Sequence, residues 1–299
     1  MVVDNEPRVI IGICSYNRAD SLERCLESLK DLAYDNYHMC VIDNCSSDNT
    51  KEVVNKFKDV KYLYESKLGV SYARNAFLDY CSNKCDVDYI AFIDDDETVG
   101  SEWINAVLEC FKSNEKIAVV CGPYFPVYFE CEAPTWIPDG IHNVNEHNKN
   151  VNVTYEKFGV VTGNCMCRYD VIKKSGIRFK EELGRVGNKV LGGEDTEFFD
   201  RLVQGKYLFG YTFNAPVYHY IEKNRLTFLY FTKRYFYQGV SEYLIKGYKR
   251  VLISIPKVIG QFLRFILVLF TFNKKKIAKN FFKLVKTIGI ICGKSLVSK

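Results

Sequence analysis

Short apolar runs alternate with amphipathic segments over the first two-thirds of the chain. Runs such as RVIIGICSYN (8–17) and YIAFIDDDE (89–97) are rich in β-branched and aromatic residues and end in polar turn formers, which predicts buried strands. Between such runs, ADSLERCLESLKDL (19–32) has its apolar side chains at helical spacing, which predicts an amphipathic helix. Strand and helix alternate about every 30 residues, which predicts a mostly parallel sheet with helices on both faces.

Polar clusters follow three of the predicted strands: SYNR (15–18), DNCSSD (43–48) and DDDE (94–97). Parallel α/β sheets bind ligands outside the carboxyl ends of their strands, so we expect these clusters at one edge of the sheet. Asp94 and Asp96 lie two residues apart and can face the same side of an extended segment. Their carboxylates predict a site for Mn²⁺ or Mg²⁺, and the alternative is a solvated acidic turn.

Five motifs in order resemble those of family 2 glycosyltransferases with the GT-A fold, over residues 8–225. They are SYNR, VIDNCSSDNT, GVSYARNAF, IAFIDDDE and GGEDTEFFDRL. The resemblance implies a Rossmann-like mixed α/β sheet flanked by helices. It also implies metal-dependent transfer of a sugar from a nucleoside diphosphate donor, with inversion of the anomeric centre.

The resemblance also implies a nucleotide-sugar site at the strand ends, formed by Ser15, Tyr16, Arg18, Asp43, Asn44, Arg74, Asp94 and Asp95. The implied metal ligands are Asp96, Asp94 and His219, with a merely packed histidine as the alternative for His219. Asp43 and Asn44 stand where many relatives have two acidic residues, and a UDP- or dTDP-sugar is favoured over a GDP-sugar. We expect Asp96 to face a cavity shared with Asp43 and Asp195 and not to be held by arginines.

Cleavage of a sugar–phosphate bond needs a Lewis acid at the leaving diphosphate and a general base at the acceptor hydroxyl. By resemblance the base is Asp195, supported by Glu194 and Glu197, and Glu197 is also a candidate acceptor contact. The alternative is that Glu194 and Asp195 only cap a helix. Trp136, in the proline-rich PTWIP, is a second candidate acceptor contact, unless it simply pins its loop.

Charge is distributed unevenly along the chain. The net charge is +5, but residues 251–299 hold ten Lys and Arg and no Asp or Glu, so the rest carries −5. A basic tail of this kind predicts contact with an anionic surface. The polar start MVVDNEPR predicts no signal peptide, and twelve cysteines without a C-x-x-C pair predict reduced thiols in a cytosolic protein.

Residues 251–272 are apolar and long enough to span a bilayer. Ser254, Lys257, Gln261 and Arg264 would form one polar stripe on a helix, which predicts a helix that lies on the membrane instead. In the next segment an apolar face, Ile277, Phe281, Leu284, Val285, Ile288, Ile291 and Cys292, opposes a row of lysines. This pattern predicts an interfacial helix on anionic lipid; the alternative is packing on the catalytic domain or on a second subunit.

These features together predict a GT-A catalytic domain over 1–225, a helical bridge over 226–250 and basic amphipathic helices over 251–299. The predicted function is transfer of a sugar to a lipid-linked or cell-surface glycan acceptor, at the cytosolic face of a membrane and without nucleic acid as a partner. One alternative is an aspartyl phosphatase that uses the D-x-D-x-T at 94–98. Another is a non-catalytic nucleotide-sugar-binding protein on the membrane.

Overall fold

A computed structural model describes residues 6–139, 160–187 and 189–297. The predicted catalytic domain (1–225) and the predicted basic helices (251–299) are therefore described only in part. The chain divides into two compact units, which we call the sheet unit (Met1–Pro126, Asn143–Phe179 and Asp195–His219) and the helical unit (Val127–His142, Lys180–Glu194 and Tyr220–Lys299).

The described residues form ten strands and nine α-helices. The strands are β1 (Val9–Ser15), β2 (Tyr37–Asp43), β3 (Val60–Tyr64), β4 (Tyr89–Asp94), β5 (Glu97–Val99), β6 (Ile117–Cys121), β7 (Tyr124–Tyr128), β8 (Asn164–Arg168), β9 (Leu208–Tyr211) and β10 (Val217–Ile221). The helices are α1 (Ala19–Lys30), α2 (Thr50–Asn55), α3 (Val70–Ser82), α4 (Trp103–Lys112), α5 (Tyr169–Ser175), α6 (Glu194–Gln204), α7 (Phe228–Lys246), α8 (Tyr248–Leu269) and α9 (Lys274–Val297).

The sheet unit is built on a seven-stranded mixed sheet in the order β3-β2-β1-β4-β8-β6-β9. Strands β1 to β4 are parallel, and β8 runs antiparallel to both of its neighbours. Alternate side chains of β1 enter different cores: Ile11 packs with Leu22 of α1, and Ile10 packs with Phe77 of α3. The predicted mixed α/β fold with helices on both faces is confirmed.

The register of this sheet aligns the polar residues that end strands β1, β2 and β4. Ser15 pairs with Asp43, and Cys14 pairs with Asp94, so β1, β2 and β4 end side by side. The expectation that polar clusters converge at one sheet edge is confirmed for these strands. The twelve cysteines are all free thiols, as predicted.

The sequence LFGYTFNAPVYHYI (208–221) predicts a single strand, but it forms two strands in different sheets. β9 extends the large sheet, while β10 joins a three-stranded sheet in the order β5-β10-β7. The buried Asn164 side chain donates to the backbone oxygens of Pro123 and Ala215 at 3.1 and 3.0 Å and accepts from Trp103 Nε1 at 3.0 Å. These bonds fix the bend before β10, and nothing in the local pattern of apolar residues signals them.

The helical unit contains α7, α8 and α9, with α9 packed against both of the others. Trp136 lies edge-on to Phe228 and Phe231, at ring separations of 5.4 and 5.3 Å. Phe282 of α9 completes this aromatic core and is 1% exposed. The observed contacts are those expected if Trp136 pins its loop, while its predicted contact with an acceptor remains a prediction.

The predicted polar stripe of α8 is only partly exposed. Ser254 is 2% exposed and Gln261 is partly buried, so two members of the expected polar stripe face the protein. The outward face instead carries Leu252, Ile253, Ile255, Ile259, Phe262, Leu263, Ile266, Leu267 and Leu269, all at least 38% exposed. Lys257 and Arg264, the other two members of the stripe, are exposed, so the stripe is half buried while the more apolar face of α8 points away from the protein.

The side of α9 that was predicted to face lipid lies largely within the helical unit, which fits the alternative of packing on protein. Leu284 is buried and Phe281 is partly buried against the helical unit, so protein covers much of this face. Phe282 and Ile290, which break the predicted amphipathic pattern, are 1% and 3% exposed. Because α9 packs between two helices it needs apolar side chains on two sides, and the pattern of a one-sided helix does not apply.

Candidate active site

Three carboxylates meet where β4 passes into β5. β4 ends at Asp94, Asp95 and Asp96 form the turn, and β5 begins at Glu97. One carboxylate oxygen from each of Asp94, Asp96 and Glu97 lies within 4.8 Å of the others. Opposite oxygen ligands of Mg²⁺ are about 4.2 Å apart, so this spacing fits a small divalent cation.

Glu97 is the most buried member of this carboxylate cluster, at 2% exposure, and Asp96 is buried as well at 5%. Its Oε2 accepts a hydrogen bond from the backbone N–H of Asp94 at 3.1 Å. Burial raises the pKa of Glu97 well above its usual range, and the charges on Asp94 and Asp96 raise it further. A bound cation would offset this repulsion, so the charge of the cluster and its oxygen-only donors both fit a divalent metal.

A buried hydroxyl lies beside the cluster. Tyr124 is 4% exposed, and its Oη has no hydrogen-bond partner in the described part of the chain. Burial raises the pKa of Tyr124, and the neighbouring Glu97 and Asp94 raise it further. A buried unsatisfied hydroxyl costs free energy, so this oxygen is a further group suited to a cation or to one of its water ligands.

Gly163 provides the space in which these oxygens meet. A Cβ atom at this position would lie 2.6 Å from Glu97 Oε1 and 2.9 Å from Tyr124 Oη. Both distances are shorter than any normal carbon contact, so a side chain here must displace the Glu97 carboxylate. Sequence reasoning did not select Glu97 as a ligand, nor Tyr124 and Gly163 as neighbours. They meet only because β8 pairs with β4 in one sheet while β5 and β7 both pair with β10 in the other.

Replacing Gly163 with alanine is expected to weaken Mn²⁺ binding by about tenfold, because shifting one of three ligand oxygens removes part of the coordination. Mn²⁺ titration followed by paramagnetic relaxation of water protons would measure the change. Gly100→Ala is the matched control, since a Cβ at Gly100 meets nothing within 4 Å. Equal Mn²⁺ affinity in both variants would contradict a metal site at Glu97.

Arg18 joins the two aspartates of the turn, and the expectation that arginines leave Asp96 alone is wrong. Arg18 Nη1 lies 2.9 Å from Asp95 Oδ1 and 2.8 Å from Asp96 Oδ2. Ser15 Oγ also donates to Asp95 Oδ2 at 2.8 Å. Burial raises the pKa of Asp95, while Arg18 lowers it. Arg18 also pairs with Asp95. If a cation binds Asp96, the guanidinium therefore keeps a carboxylate partner.

Two further predicted residues reach the carboxylate cluster. His219 Nε2 lies 3.5 Å from Asp96 Oδ2, because β10 pairs with β5 and aligns His219 with Glu97. Arg74 Nη2 lies 3.4 Å from Asp94 Oδ1, and its guanidinium packs over the Phe179 ring at 5.5 Å. The structure therefore brings together predicted residues from four separate stretches of sequence.

Asp43 and Asn44 are buried at the end of β2 and are engaged by neighbouring groups. Asp43 accepts hydrogen bonds from Tyr62 Oη at 2.7 Å and from the backbone N–H of Ser46 at 2.8 Å. Asn44 accepts from the Gly69 N–H and donates to the Lys67 backbone oxygen, both at 2.7 Å.

These bonds hold the segment before α3 in place. Tyr62 and Gly69 thus support the predicted nucleotide end of the site, and sequence reasoning did not find them. Tyr16, also predicted there, is 37% exposed at the end of β1.

The residues predicted to act as the general base or to support it lie at the start of α6. Asp195 is partly exposed, and its Oδ1 accepts a hydrogen bond from the Thr196 N–H at 2.6 Å. Glu197 is 6% exposed and accepts from Arg201 Nη2 at 2.8 Å. Glu194 is 8% exposed and belongs to the helical unit, whereas Asp195 belongs to the sheet unit. The catalytic and acceptor roles of these residues remain predictions.

A sequence model of the family described as "Glycosyl transferase family 2" matches residues 10–176, more than half of the chain. The chain belongs to glycosyltransferase family 2. Membership makes it a transferase with the GT-A fold, and it overturns both the aspartyl phosphatase and the non-catalytic alternatives. Four of the five motifs that predicted the family, at 15–18, 41–50, 69–77 and 90–97, fall inside the matched segment, and the fifth, at 192–202, lies beyond it.

Two relatives of this family 2 glycosyltransferase match most of its length. The succinoglycan biosynthesis protein ExoM of Rhizobium meliloti (strain 1021) is 28% identical over 239 residues, which is 77% of this chain and 72% of ExoM. The glucosyl-dolichyl phosphate glucuronosyltransferase of Haloferax volcanii is 22% identical over 251 residues, which is 79% of this chain and 76% of that protein.

Among solved structures, the mannosyltransferase PcManGT from Pyrobaculum calidifontis was determined in complex with GDP-Man and Mn²⁺. It superposes with a TM-score of 0.57 at 12% identity, covering 99% of this chain and 75% of that chain. At this identity the likeness establishes the fold alone.

Proposed function

We propose that this family 2 glycosyltransferase moves a sugar from a nucleoside diphosphate donor to a lipid-linked or cell-surface glycan, with inversion and with a divalent cation, Mn²⁺ or Mg²⁺. The observation that carries the proposal is the cluster of Asp94, Asp96 and Glu97, whose oxygens lie within 4.8 Å of one another at the carboxyl ends of the parallel strands. When bound, the cation would neutralise the negative charge that develops on the leaving diphosphate.

The side chains around the cluster have complementary tasks. Asp94, Asp96 and Glu97 would hold the cation, and His219 would orient Asp96 from 3.5 Å. Arg18 and Arg74 bring two guanidinium groups to the same strand ends, where they would bind phosphate oxygens of the donor. Asp43 and Asn44 would define the nucleoside end, where a UDP- or dTDP-sugar is favoured over a GDP-sugar.

Asp195 is the proposed general base that takes the proton of the acceptor hydroxyl. Its carboxylate is partly exposed at the start of α6, where an incoming acceptor can reach it. Direct attack assisted by a base inverts the anomeric centre in one step. Glu197 is proposed to support this region through its bond to Arg201.

Replacing Asp195 with asparagine is expected to slow transfer by about 10²- to 10⁴-fold, because the variant keeps the shape of the side chain but cannot accept the proton. Donor binding, followed by thermal stabilisation, should change little. Glu109→Gln is the control, since this carboxylate is exposed and pairs only with Lys112 among the described residues. Near-normal transfer by the Asp195 variant, or a product that retains the anomeric configuration by NMR, would contradict the proposal.

The proposed location is the cytosolic face of a membrane, with anionic lipid as a partner and the outward face of α8 as the contact. α8 is the one helix in the described ranges that is long and apolar enough to cross a bilayer, with a mean hydropathy of 1.8. One side of α8 packs on α9, which favours a helix lying on the membrane over one that crosses it. The Haloferax relative, whose name includes a dolichyl phosphate, supports a lipid-linked acceptor.

Replacing both Ile259 and Leu267 with serine is expected to lower binding to anionic vesicles by about tenfold or more, because each buried aliphatic side chain contributes about 1.5–3 kcal/mol. These side chains are 67% and 69% exposed, so the change should leave folding intact. Leu296→Ser is the control, on α9 at 50% exposure. Equal co-sedimentation of the double variant and the wild-type protein would exclude α8 as the membrane contact.

A further inference from the structure

Three arginines surround one tyrosine hydroxyl at the start of α7 in the helical unit. Arg185 Nη2 and Arg225 Nε donate to Tyr230 Oη at 3.4 and 3.3 Å. Arg234 lies one helical turn after Tyr230 on α7. We call Arg185, Arg225, Arg234 and Tyr230 the arginine cluster.

Positive charge dominates the arginine cluster. Burial lowers the pKa of Arg234, and the nearby Arg225 and Arg185 lower it further. Although burial alone would raise the pKa of Tyr230, the three arginines outweigh it and lower that pKa to about 8. Within the described residues, no carboxylate forms an ion pair with Arg185 or Arg234.

The same unit neutralises its other buried charges differently. Glu242 is paired with Lys246, Arg250 and Lys286, so one carboxylate serves three cations. The arginine cluster differs, because Arg185 and Arg234, which form no ion pair with a carboxylate among the described residues, lie near a weakly acidic hydroxyl. Guanidinium groups in a cluster match the oxygens of a phosphate group in both charge and geometry, so the chemistry that best fits this site is a phosphate anion.

Exposed apolar side chains lie in the same helical turn as Tyr230. Phe228 and Leu229, in the same turn of α7, are 44% and 64% exposed. Phe228 contacts Phe281 of α9 at 5.2 Å, and Phe281 contacts Phe265 of α8 at 5.7 Å. A series of ring contacts therefore leads from the first turn of α7 to α8, the helix with the exposed apolar face.

We propose that the arginine cluster binds the phosphate of a lipid-linked acceptor whose hydrocarbon chain lies over Phe228 and Leu229 towards α8. This inference rests on the proposed function, because it takes a lipid-linked acceptor as the substrate. The charge of the cluster favours a phosphate, and the exposed apolar side chains in the same helical turn favour a phosphate with a long hydrocarbon chain over a free ion.

Binding of farnesyl phosphate to the full-length protein, measured by calorimetry in detergent, tests the site. Arg185→Gln and Arg234→Gln are each expected to weaken the binding of farnesyl phosphate about tenfold, because each removes a charge-assisted contact. Lys233→Gln is the matched control, because it removes the same charge from the neighbouring exposed position on α7. Arg234→Lys should recover part of the affinity, since it restores the charge without the planar guanidinium.

Competition with other ligands identifies the source of the phosphate. Farnesol, which has the same chain and no phosphate, should not bind measurably, and inorganic phosphate should compete weakly. Inorganic phosphate that competes as well as farnesyl phosphate would overturn the lipid assignment. The lipid assignment would also be overturned if UDP bound more tightly than farnesyl phosphate and both arginine variants weakened UDP binding. The cluster would then hold the donor.

Failure of this site and failure of the proposed function are distinguishable. If the wild-type protein transfers sugar to a lipid-linked phosphate while Arg185→Gln and Arg234→Gln bind farnesyl phosphate normally, the cluster is not the site but the function stands. If the wild-type protein binds no farnesyl phosphate, the lipid-linked acceptor itself is excluded. Arg185 is exposed, so its variant remains informative even if Arg234→Gln fails to fold.

Discussion

Replacing Asp96 with asparagine is expected to lower the rate of sugar transfer by about 100-fold or more, because a metal contributes several kcal/mol to the stabilisation of a leaving phosphate. Asp96 is one of three residues whose oxygens lie within 4.8 Å of one another. An amide is a weaker ligand for a hard cation than a carboxylate, so Mn²⁺ affinity should fall in parallel. Steady-state transfer rates and Mn²⁺ titration by paramagnetic relaxation measure the two effects.

Asp95→Asn is the sharpest control for this prediction. Arg18 Nη1 contacts Asp95 and Asp96 at 2.9 and 2.8 Å, so both variants weaken the same ion-pair network. Asp95 is not among the three convergent carboxylates, and its variant should keep Mn²⁺ affinity within about twofold. If the two variants lose the same activity and neither loses Mn²⁺, Asp96 acts only as an anchor for Arg18 and the metal site is wrong.

Replacing Gly239 or Gly289 with alanine is expected to lower the free energy of unfolding by about 3 kcal/mol or more, because each Cβ would collide with main chain and not with a movable side chain. A Cβ at Gly239 would lie 2.0 Å from the Lys286 oxygen, and one at Gly289 would lie 2.1 Å from the Phe236 oxygen. Either methyl group must push α7 and α9 apart. Thermal unfolding followed by circular dichroism should record the loss.

Gly260→Ala is the control for these glycines. Gly260 lies inside α8, and a Cβ there meets nothing within 4 Å. Alanine should therefore stabilise that helix by up to about 1 kcal/mol through its better helix propensity. Unfolding free energies that rise in all three variants would show that α7 and α9 do not pack backbone to backbone.

Much of the sheet unit was predictable because its signals are local. The apolar runs of β1 and β4, and the helical spacing of α1, depend on neighbours a few residues away in sequence. Polar residues directly after these strands then indicate the ligand-binding edge, since parallel strands end together. Asp94 and Asp96 were identified in this way, and Ser15 and Asp43 lie at the same edge of the sheet.

The rest of the site depends on contacts between distant segments. Glu97, Tyr124 and Gly163 meet only because β5, β7 and β8 belong to sheets whose pairing joins residues far apart in sequence. Likewise, Arg18 pairs with Asp95 and Asp96, which lie 77 and 78 residues further along the chain. No periodicity in the sequence indicates that pairing.

The sequence by itself determined the family, the alternation of strands β1 to β4 with helices α1 to α3, and the carboxylates at the sheet edge, because these follow from local pattern and motif. The tertiary structure alone decided which face of α8 points outward and which groups surround Asp96. The physical reason is that an amphipathic pattern shows that a helix has two faces but not which one its neighbours cover. Packing of α9 between α7 and α8 buried Ser254 and Gln261 and left the apolar face of α8 exposed.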